Sequence, residues 1–290
     1  MGYKTGGGRK KSMRAGKRLS PKNIMVFSIL TILIVSFLYP LYFMLFNSLK
    51  TRTEYYINPF SLPHEGLQFS NYATMVSQFR ILNLFKNTFI ISAGTVALLL
   101  IIGVFASYIF AKFQFRGKMV IFVAVLMTMF VPSQVTIIPL YVGFSKVGLV
   151  NTYLSVILAY LALFLPEAIL LMTANFRGIP DELLEAAEID GCNYLQKILY
   201  VVVPMGRSAI FLAIIFYFIM SWNDLFTPMI LLTKMEKRTI MVALAALMGR
   251  YSGSPTFQFA GLLLSAIPAL LVYFIFQRKI IQGLSMGAIK

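Results

Sequence analysis

Six stretches of this 290-residue chain each stay apolar for close to 20 residues, and no other feature narrows the fold as far. A hydrocarbon layer about 30 Å thick is crossed by about 20 helical residues rising about 1.5 Å each. The stretches are residues 24–46, 85–110, 119–143, 153–176, 208–232 and 259–276, and none alternates apolar with polar residues as a barrel strand does. The expected fold is an all-α polytopic membrane bundle of six transmembrane helices. With 59% hydrophobic and only 12% charged residues, the chain has about half the charge of a soluble protein, which excludes a soluble enzyme. The first stretch is too long for a signal-peptide core and is followed by no small-x-small cleavage site, so it is expected to be retained.

Lys and Arg number 26 against 10 Asp and Glu, a net charge of +16 that fits nucleic acid, anionic lipid or cytoplasmic membrane loops until its distribution is read. Residues 1–23 carry Lys4, Arg9, Lys10, Lys11, Arg14, Lys17, Arg18 and Lys22 with no acid, and the positive-inside rule keeps such a tail in the cytoplasm. Six spans then place Lys112, Arg116, Lys118, Arg177, Lys197, Arg207, Arg278, Lys279 and Lys290 on the same side, with both termini cytoplasmic. The charge is thereby explained by membrane and lipid, without nucleic acid; the tail offers only Tyr3 to stack on a base. Its Gly and Lys content predicts disorder. Gly6-Gly7-Gly8-Arg9-Lys10-Lys11-Ser12 has neither the spacing nor the strand-to-helix setting of a phosphate-binding loop. One Cys and one His exclude an intrachain disulfide and a two-His metal site, and His64 falls in an outer loop as a surface residue. No paired catalytic acids or Ser-His arrangement points to an enzyme, and no metal or cofactor site is expected in this chain.

The longest polar interruption on the cytoplasmic side, 175–207, is patterned as two short helices with a corner. Pro180 suits a first helical turn, Asp181 and Glu182 follow where the helix dipole favours anions, and Gly191 supplies the residue past the end. Asn193 and Gln196 resemble a capping box opening a second helix that Pro204 ends. Leu183, Leu184 and Ala187 share one face, while Asp181, Glu182, Glu185 and Glu188 project elsewhere and Asp190 sits at the corner. Two readings fit: a solvated connector, or a rigid acidic knob that docks in a basic cleft of a cytoplasmic partner.

Glu185-Ala186-Ala187, Gly191 and Pro204 resemble the EAA loop of permease subunits in bacterial ATP-binding-cassette importers. Trp222-Asn223-Asp224 with Pro228, Val131-Pro132-Ser133-Gln134 with Ile138-Pro139-Leu140, Gly148-Leu149-Val150-Asn151-Thr152, and Gln277-Arg278 with Gly283-Leu284 and Gly287-Ala288 are similar to the carbohydrate-importing class. The likeness is to the smaller permease subunit of maltose-type systems and runs from residue 24 to 290. It implies the type I importer fold, with an outer loop at 47–84, a five-helix permease core at 85–280 containing the coupling loop 177–206, and a cytoplasmic tail at 281–290. It further implies a second, non-identical permease subunit, two ATPase subunits that bind ATP and Mg, and an extracytoplasmic sugar-binding protein, all in a bacterial cell membrane. On the same resemblance, Glu185, Ala186, Ala187, Asp190, Gly191 and Pro204 couple to the ATPase, and the C-terminal Gln282, Gly283 and Lys290 reach it. Gly249, Tyr251, Gly253 and Pro255, in the outer loop 233–258, would meet the binding protein; the same Gly, Ser and Pro content also suits a plain connector.

Asp224 and Glu167 are the two acids within spans, and a charge at mid-span costs about 3 kcal/mol, so each should face protein or water. Trp222, Asn223, Asp224 and Glu167 are candidate pathway residues; Asp224 also suits a structural hydrogen-bonding role. An ion-coupled secondary transporter, with Glu167 and Asp224 relaying protons, is the alternative, and it leaves the acidic loop without a task. Pro132 and Pro139 each free a carbonyl that Ser133, Gln134 or Thr136 can satisfy, or that lines a passage. Small-residue stripes at Gly103, Ser107, Ala111 and at Gly261, Ser265, Ala269 predict close helix contacts.

Overall fold

The computed structural model describes residues 21–250 and 254–288, with 21–22, 248–250 and 277–288 described by their backbone. The described residues form helices α1 (Pro21–Ser48), α2 (Arg52–Ile57), α3 (Ser70–Ser77), α4 (Ile81–Lys112), α5 (Lys118–Met127), α6 (Ser133–Lys146) and α7 (Tyr153–Phe176). They continue with α8 (Asp181–Ile189), α9 (Tyr194–Lys197), α10 (Val203–Met205), α11 (Arg207–Asn223), α12 (Phe226–Leu231), α13 (Ile240–Arg250) and α14 (Pro255–Ala288), with no strand among them. Four helices are each long and apolar enough to cross a membrane, and up to six spans result if each of two bent helix pairs counts as one. One pair, 118–130 with 133–146, bends by 100°; the other, 194–205 with 207–223, bends by 79°.

The third apolar stretch is therefore not one straight helix. A 3-10 turn at Thr128–Phe130 ends α5, and Pro132, in extended backbone with φ −60° and ψ 134°, starts α6 in a new direction. Proline cannot donate to the turn before it, so the ladder stops there. The Thr128 carbonyl, four residues before Pro132, is satisfied by the Val131 amide at 3.2 Å, while Thr136 Oγ1 donates to the Ser133 carbonyl at 3.0 Å within the first turn of α6.

The core lies where α4 packs along α7 and α11. Leu99 and Tyr108 of α4, Met172 and Phe176 of α7, and Ala213, Tyr217 and Trp222 of α11 are buried together. Both predicted small-residue stripes sit at close contacts. Ser107 Oγ donates to the Ile169 carbonyl at 3.2 Å, joining α4 to α7, and Trp222 Nε1 donates to the Ser265 carbonyl at 3.1 Å, joining α11 to α14. By contrast α1 packs against α14 and exposes side chains such as Ile32 and Phe37 all round, a surface suited to hydrocarbon.

Two segments read as loops carry more structure than their sequence announced. Within 233–258, Ile240, Val242 and Leu244 of α13 are buried, because the helix packs on α4 and α14. In 47–84, buried polar groups tie down α2 and α3: Lys50 Nζ donates to the Asn58 carbonyl at 2.9 Å, Glu54 Oε1 accepts the His64 amide at 2.7 Å, and Asn71 Nδ2 of α3 donates to the Ser48 carbonyl at 2.8 Å. The expected separate tail at 281–290 is, through Ala288, a continuation of α14. The basic residues 1–20 lie outside the described residues.

Candidate functional site

Two acidic assemblies sit at different levels of the bundle. The first is the corner between α8 and α9. Asp181 and Glu182 occupy the first turn of α8, favourable at the positive end of the helix dipole, with Pro180 one residue earlier than expected, at the N-cap. Leu184 and Ala187 are buried beneath the helix, whereas Leu183, predicted to share their face, is 41% exposed. The helix ends in a Schellman motif: the Gly191 amide donates to the Glu188 carbonyl at 3.0 Å and the Cys192 amide to the Ala187 carbonyl at 2.9 Å. That closure needs a left-handed residue, and Gly191 has φ +83°. The predicted capping box follows, with the Asn193 side chain accepting the Gln196 amide at 2.9 Å and the Gln196 side chain accepting the Asn193 amide at 2.8 Å.

The five acids of this knob divide into two groups. Asp181 pairs with Lys112 of α4 at 2.7 Å, and Glu188 pairs with Lys197 of α9 at 2.7 Å, so these two hold the knob together and against the bundle. Glu182, Glu185 and Asp190 are exposed and have no partner among the described residues. Beside them Ala186 is exposed and Ile189 is 87% exposed, so the outward face of α8 mixes free carboxylates with bare apolar surface.

Pro204 does not end the second helix. The chain widens into a π-turn at Ile198–Val202, and the break comes at Gly206, next to α11. A wider turn tolerates the proline's missing N–H and bulky ring. A Cβ on Gly206 would lie 2.3 Å from Phe176 Cε1, so only glycine fits where the knob rejoins the bundle.

The second assembly joins α7 to α11. Tyr160 donates its hydroxyl to Asp224 Oδ2 at 2.9 Å, and the buried Tyr217 has Glu167 as a charged neighbour. Phe164 stacks between the two tyrosines, 5.4 Å from Tyr160 and 5.3 Å from Tyr217. Each stretch carries one tyrosine and one acid seven residues apart, and the hydrogen bond between the helices forms at one of the two pairs, Tyr160 with Asp224. Asp224 also accepts the Phe226 amide from Oδ1 and the Thr227 amide from Oδ2, both at 3.1 Å, which caps α12. These bonds are of the kind its structural reading requires. Trp222, proposed for the pathway, is buried and stacked against Phe85 and Phe218. Of that group Asn223 alone is exposed.

Sequence reading missed Tyr160 and Tyr217; the matching seven-residue tyrosine-to-acid spacing in two apolar stretches was the available signal. It also missed Lys112, whose partner lies 69 residues away. Gly249 lies on the α13 backbone, Pro255 opens α14, and Gln282 and Gly283 lie on the α14 backbone, while Tyr251, Gly253 and Lys290 are outside the described residues. The described side chains include no group of three or more His, Cys, Asp or Glu placed to hold a metal.

Residues 100–286 match the family of binding-protein-dependent transport system inner membrane components. The chain is 31% identical over 257 residues to the diacetylchitobiose uptake system permease protein NgcG of Streptomyces coelicolor, covering 87% of this chain and 83% of that one. It is 28% identical over 257 residues to the arabinooligosaccharides transport system permease protein AraQ of Bacillus subtilis, covering 88% and 91%. A solved bacterial ABC transporter involved in the import of the acidic polysaccharide alginate superposes with a TM-score of 0.78 at 25% identity, covering 89% of this chain and 95% of the other. The bacterial alginate ABC transporter in complex with an alginate pentasaccharide-bound periplasmic protein shares the fold, with a TM-score of 0.64 at 15% identity over 89% of this chain and 96% of the other. The alternative of an ion-coupled transporter falls with these matches. The chain belongs to the binding-protein-dependent transport system inner membrane components, as a permease of the sugar ATP-binding-cassette importers.

Proposed function

We propose that this multi-pass protein forms one half of the sugar pathway in a bacterial cell membrane, beside a second, non-identical permease, and is driven by two partner ATPases that bind ATP and Mg. The knob end and both termini face the cytoplasm. The binding protein docks at the opposite end, where the segment holding Gly249, Tyr251, Gly253 and Pro255 meets it; the periplasmic protein in the solved alginate complex supports that partner. Relatives named for diacetylchitobiose and arabinooligosaccharides support an oligosaccharide or glycoside cargo.

The observation that carries the reading is the bare outward face of α8. Among the described residues Glu182, Glu185 and Asp190 are unpaired beside exposed Ile189, on a helix fixed by two ion pairs, a Schellman closure and a capping box. A rigid element with an unsatisfied acidic and apolar face suits a basic-rimmed cleft on an ATPase. Movement of that cleft would reach α7 and α11, the helices on either side of the knob, which the Tyr160–Asp224 bond and the stacking of Phe164 on Tyr217 tie together. The C-terminal residues Gln282, Gly283 and Lys290 add a second ATPase contact.

Glu185 is exposed, with no hydrogen bond or ion pair to the described residues, so Glu185→Ala is expected to leave folding and insertion intact. It strands a basic partner residue at a buried contact, at a cost of about 2 to 5 kcal/mol. Uptake by the reconstituted complex is expected to vanish while the variant remains in the membrane. Wild-type uptake would sink the docking reading.

A further inference from the structure

The end of the bundle opposite the knob holds a cavity of about 640 Å³, within the size range of small-ligand sites. It lies between the turn before α4, the first turns of α4, the start of α7, and the segment from Met235 through α13. Apolar residues of α4 and α13, among them Leu84 and Leu247, form part of its wall, and three cations line it: Arg80, Lys86 and Arg238. Glu236 is the one acid in the lining.

The cations are not spent on the fold. The side chains of Arg80 and Lys86 are exposed, with no hydrogen-bond or ion-pair partner among the described residues, and the nearby amide side chains of Gln78 and Asn83 are equally free of one. Arg238 Nε is buried without a partner, although the same guanidinium donates from Nη2 to the Thr233 carbonyl at 3.4 Å. Arg80 also holds a left-handed backbone, φ 48° and ψ 43°, which a non-glycine residue adopts only at a cost.

The wall that carries Arg238 is rigid. Asn87 Nδ2 donates to the Glu236 and Arg238 carbonyls at 2.8 and 3.0 Å, and Tyr153 donates to Asn87 Oδ1 at 2.7 Å. Lys237 lies 5.9 Å from the centre of the Tyr153 ring, adding a fourth positive group beside the cavity.

The volume far exceeds a lone carboxylate. Free amides suit hydroxyl groups, the apolar wall suits the face of a sugar ring, and the cations suit an ionised acid. We propose that this cavity binds an anionic saccharide through its ring and its acidic group. Its place on the outer face, at the entrance to the pathway, rests on the importer reading above, but the binding itself does not. An anionic lipid headgroup shares the acid's chemistry, and the test separates the two.

The full permease complex in phosphatidylcholine nanodiscs is titrated with sodium glucuronate and with glucose, and binding is followed by saturation-transfer NMR. Glucuronate is expected to bind at least about tenfold more tightly than glucose, the scale of one charge-assisted hydrogen bond. Arg80→Gly, which suits the left-handed backbone, and Lys86→Gln, at an exposed position, keep the complex assembled, and each is expected to weaken glucuronate binding about tenfold. Equal binding of glucose and glucuronate would overturn the proposal, as would wild-type glucuronate binding in the double variant. Displacement of glucuronate when phosphatidylglycerol enters the discs would also overturn it, by making the lipid the occupant. Neither uptake nor ATP hydrolysis is read here, so failure of this site and failure of coupling through Glu185 are separately visible.

Discussion

Asp224 accepts three hydrogen bonds where α11 passes into α12, whereas Glu185, on the outward face of α8, accepts none from the described residues. Glu182 and Asp190 likewise stand exposed on the knob with no partner among the described residues. Within the apolar spans an unpaired carboxylate costs several kcal/mol, so the chain supplies its own donors. At the knob, water satisfies the free acids until a partner does. Asp224 is engaged within the chain, whereas the knob acids that remain open to a partner are those with none among the described residues.

The largest effect should come from removing a satisfied acid. Asp224→Ala takes the cap from α12 and leaves the buried Tyr160 hydroxyl without an acceptor, a combined loss of roughly 2 to 4 kcal/mol. Asp224→Asn keeps acceptors for both and should lose far less. Thermal unfolding in detergent is expected to drop sharply for the alanine variant and little for the asparagine. If both unfold like the parent and only uptake fails, Asp224 serves the pathway, and the contrast between core and knob acids collapses.

The knob was largely legible in the sequence because its signals are local. Gly191, Asn193 with Gln196, and the acids at the start of α8 act within a few residues of themselves, and the structure carries each in that role. Pro204 misled because its helix could widen into a π-turn, an option invisible to a rule about proline. The tyrosine–acid lock was not read because its partners lie 64 residues apart in one pair, and spacing within one stretch says nothing of which stretch it will face. Short helices such as α3 and α13 were missed because a search for 20-residue runs passes over an 11-residue helix packed on one face. The 100° bend needed more than Pro132, since proline stops a ladder without fixing the direction the chain takes next.

An intermediate effect is expected at the corner itself. A Cβ on Gly191 would meet nothing within 4 Å, so substitution there is opposed by the backbone alone. Gly191→Val forces a β-branched residue toward φ +83°, at about 1 to 3 kcal/mol, and should tilt α9 against α8. Substrate-stimulated ATPase activity should fall, and Gly191→Asn should retain most of it because asparagine tolerates the left-handed region. Unchanged activity and assembly in the valine variant would mean that the corner angle does not matter for coupling.

The smallest effect should come from the paired acids of the knob, where the two regions meet. Asp181 is 73% exposed and its Lys112 partner 9%, and Lys112 also donates to the Ile179 carbonyl. Losing the carboxylate therefore leaves the ammonium with an acceptor, and an exposed pair contributes at most about 1 kcal/mol. Asp181→Asn should speed amide hydrogen exchange in α8 by no more than about fivefold, with uptake close to the parent. Glu185→Ala should do the reverse, leaving exchange in α8 unchanged while uptake is lost. If Asp181→Asn abolishes uptake as fully as Glu185→Ala, then Asp181 must exchange Lys112 for a residue of the ATPase during transport, and the paired and bare acids form one docking surface.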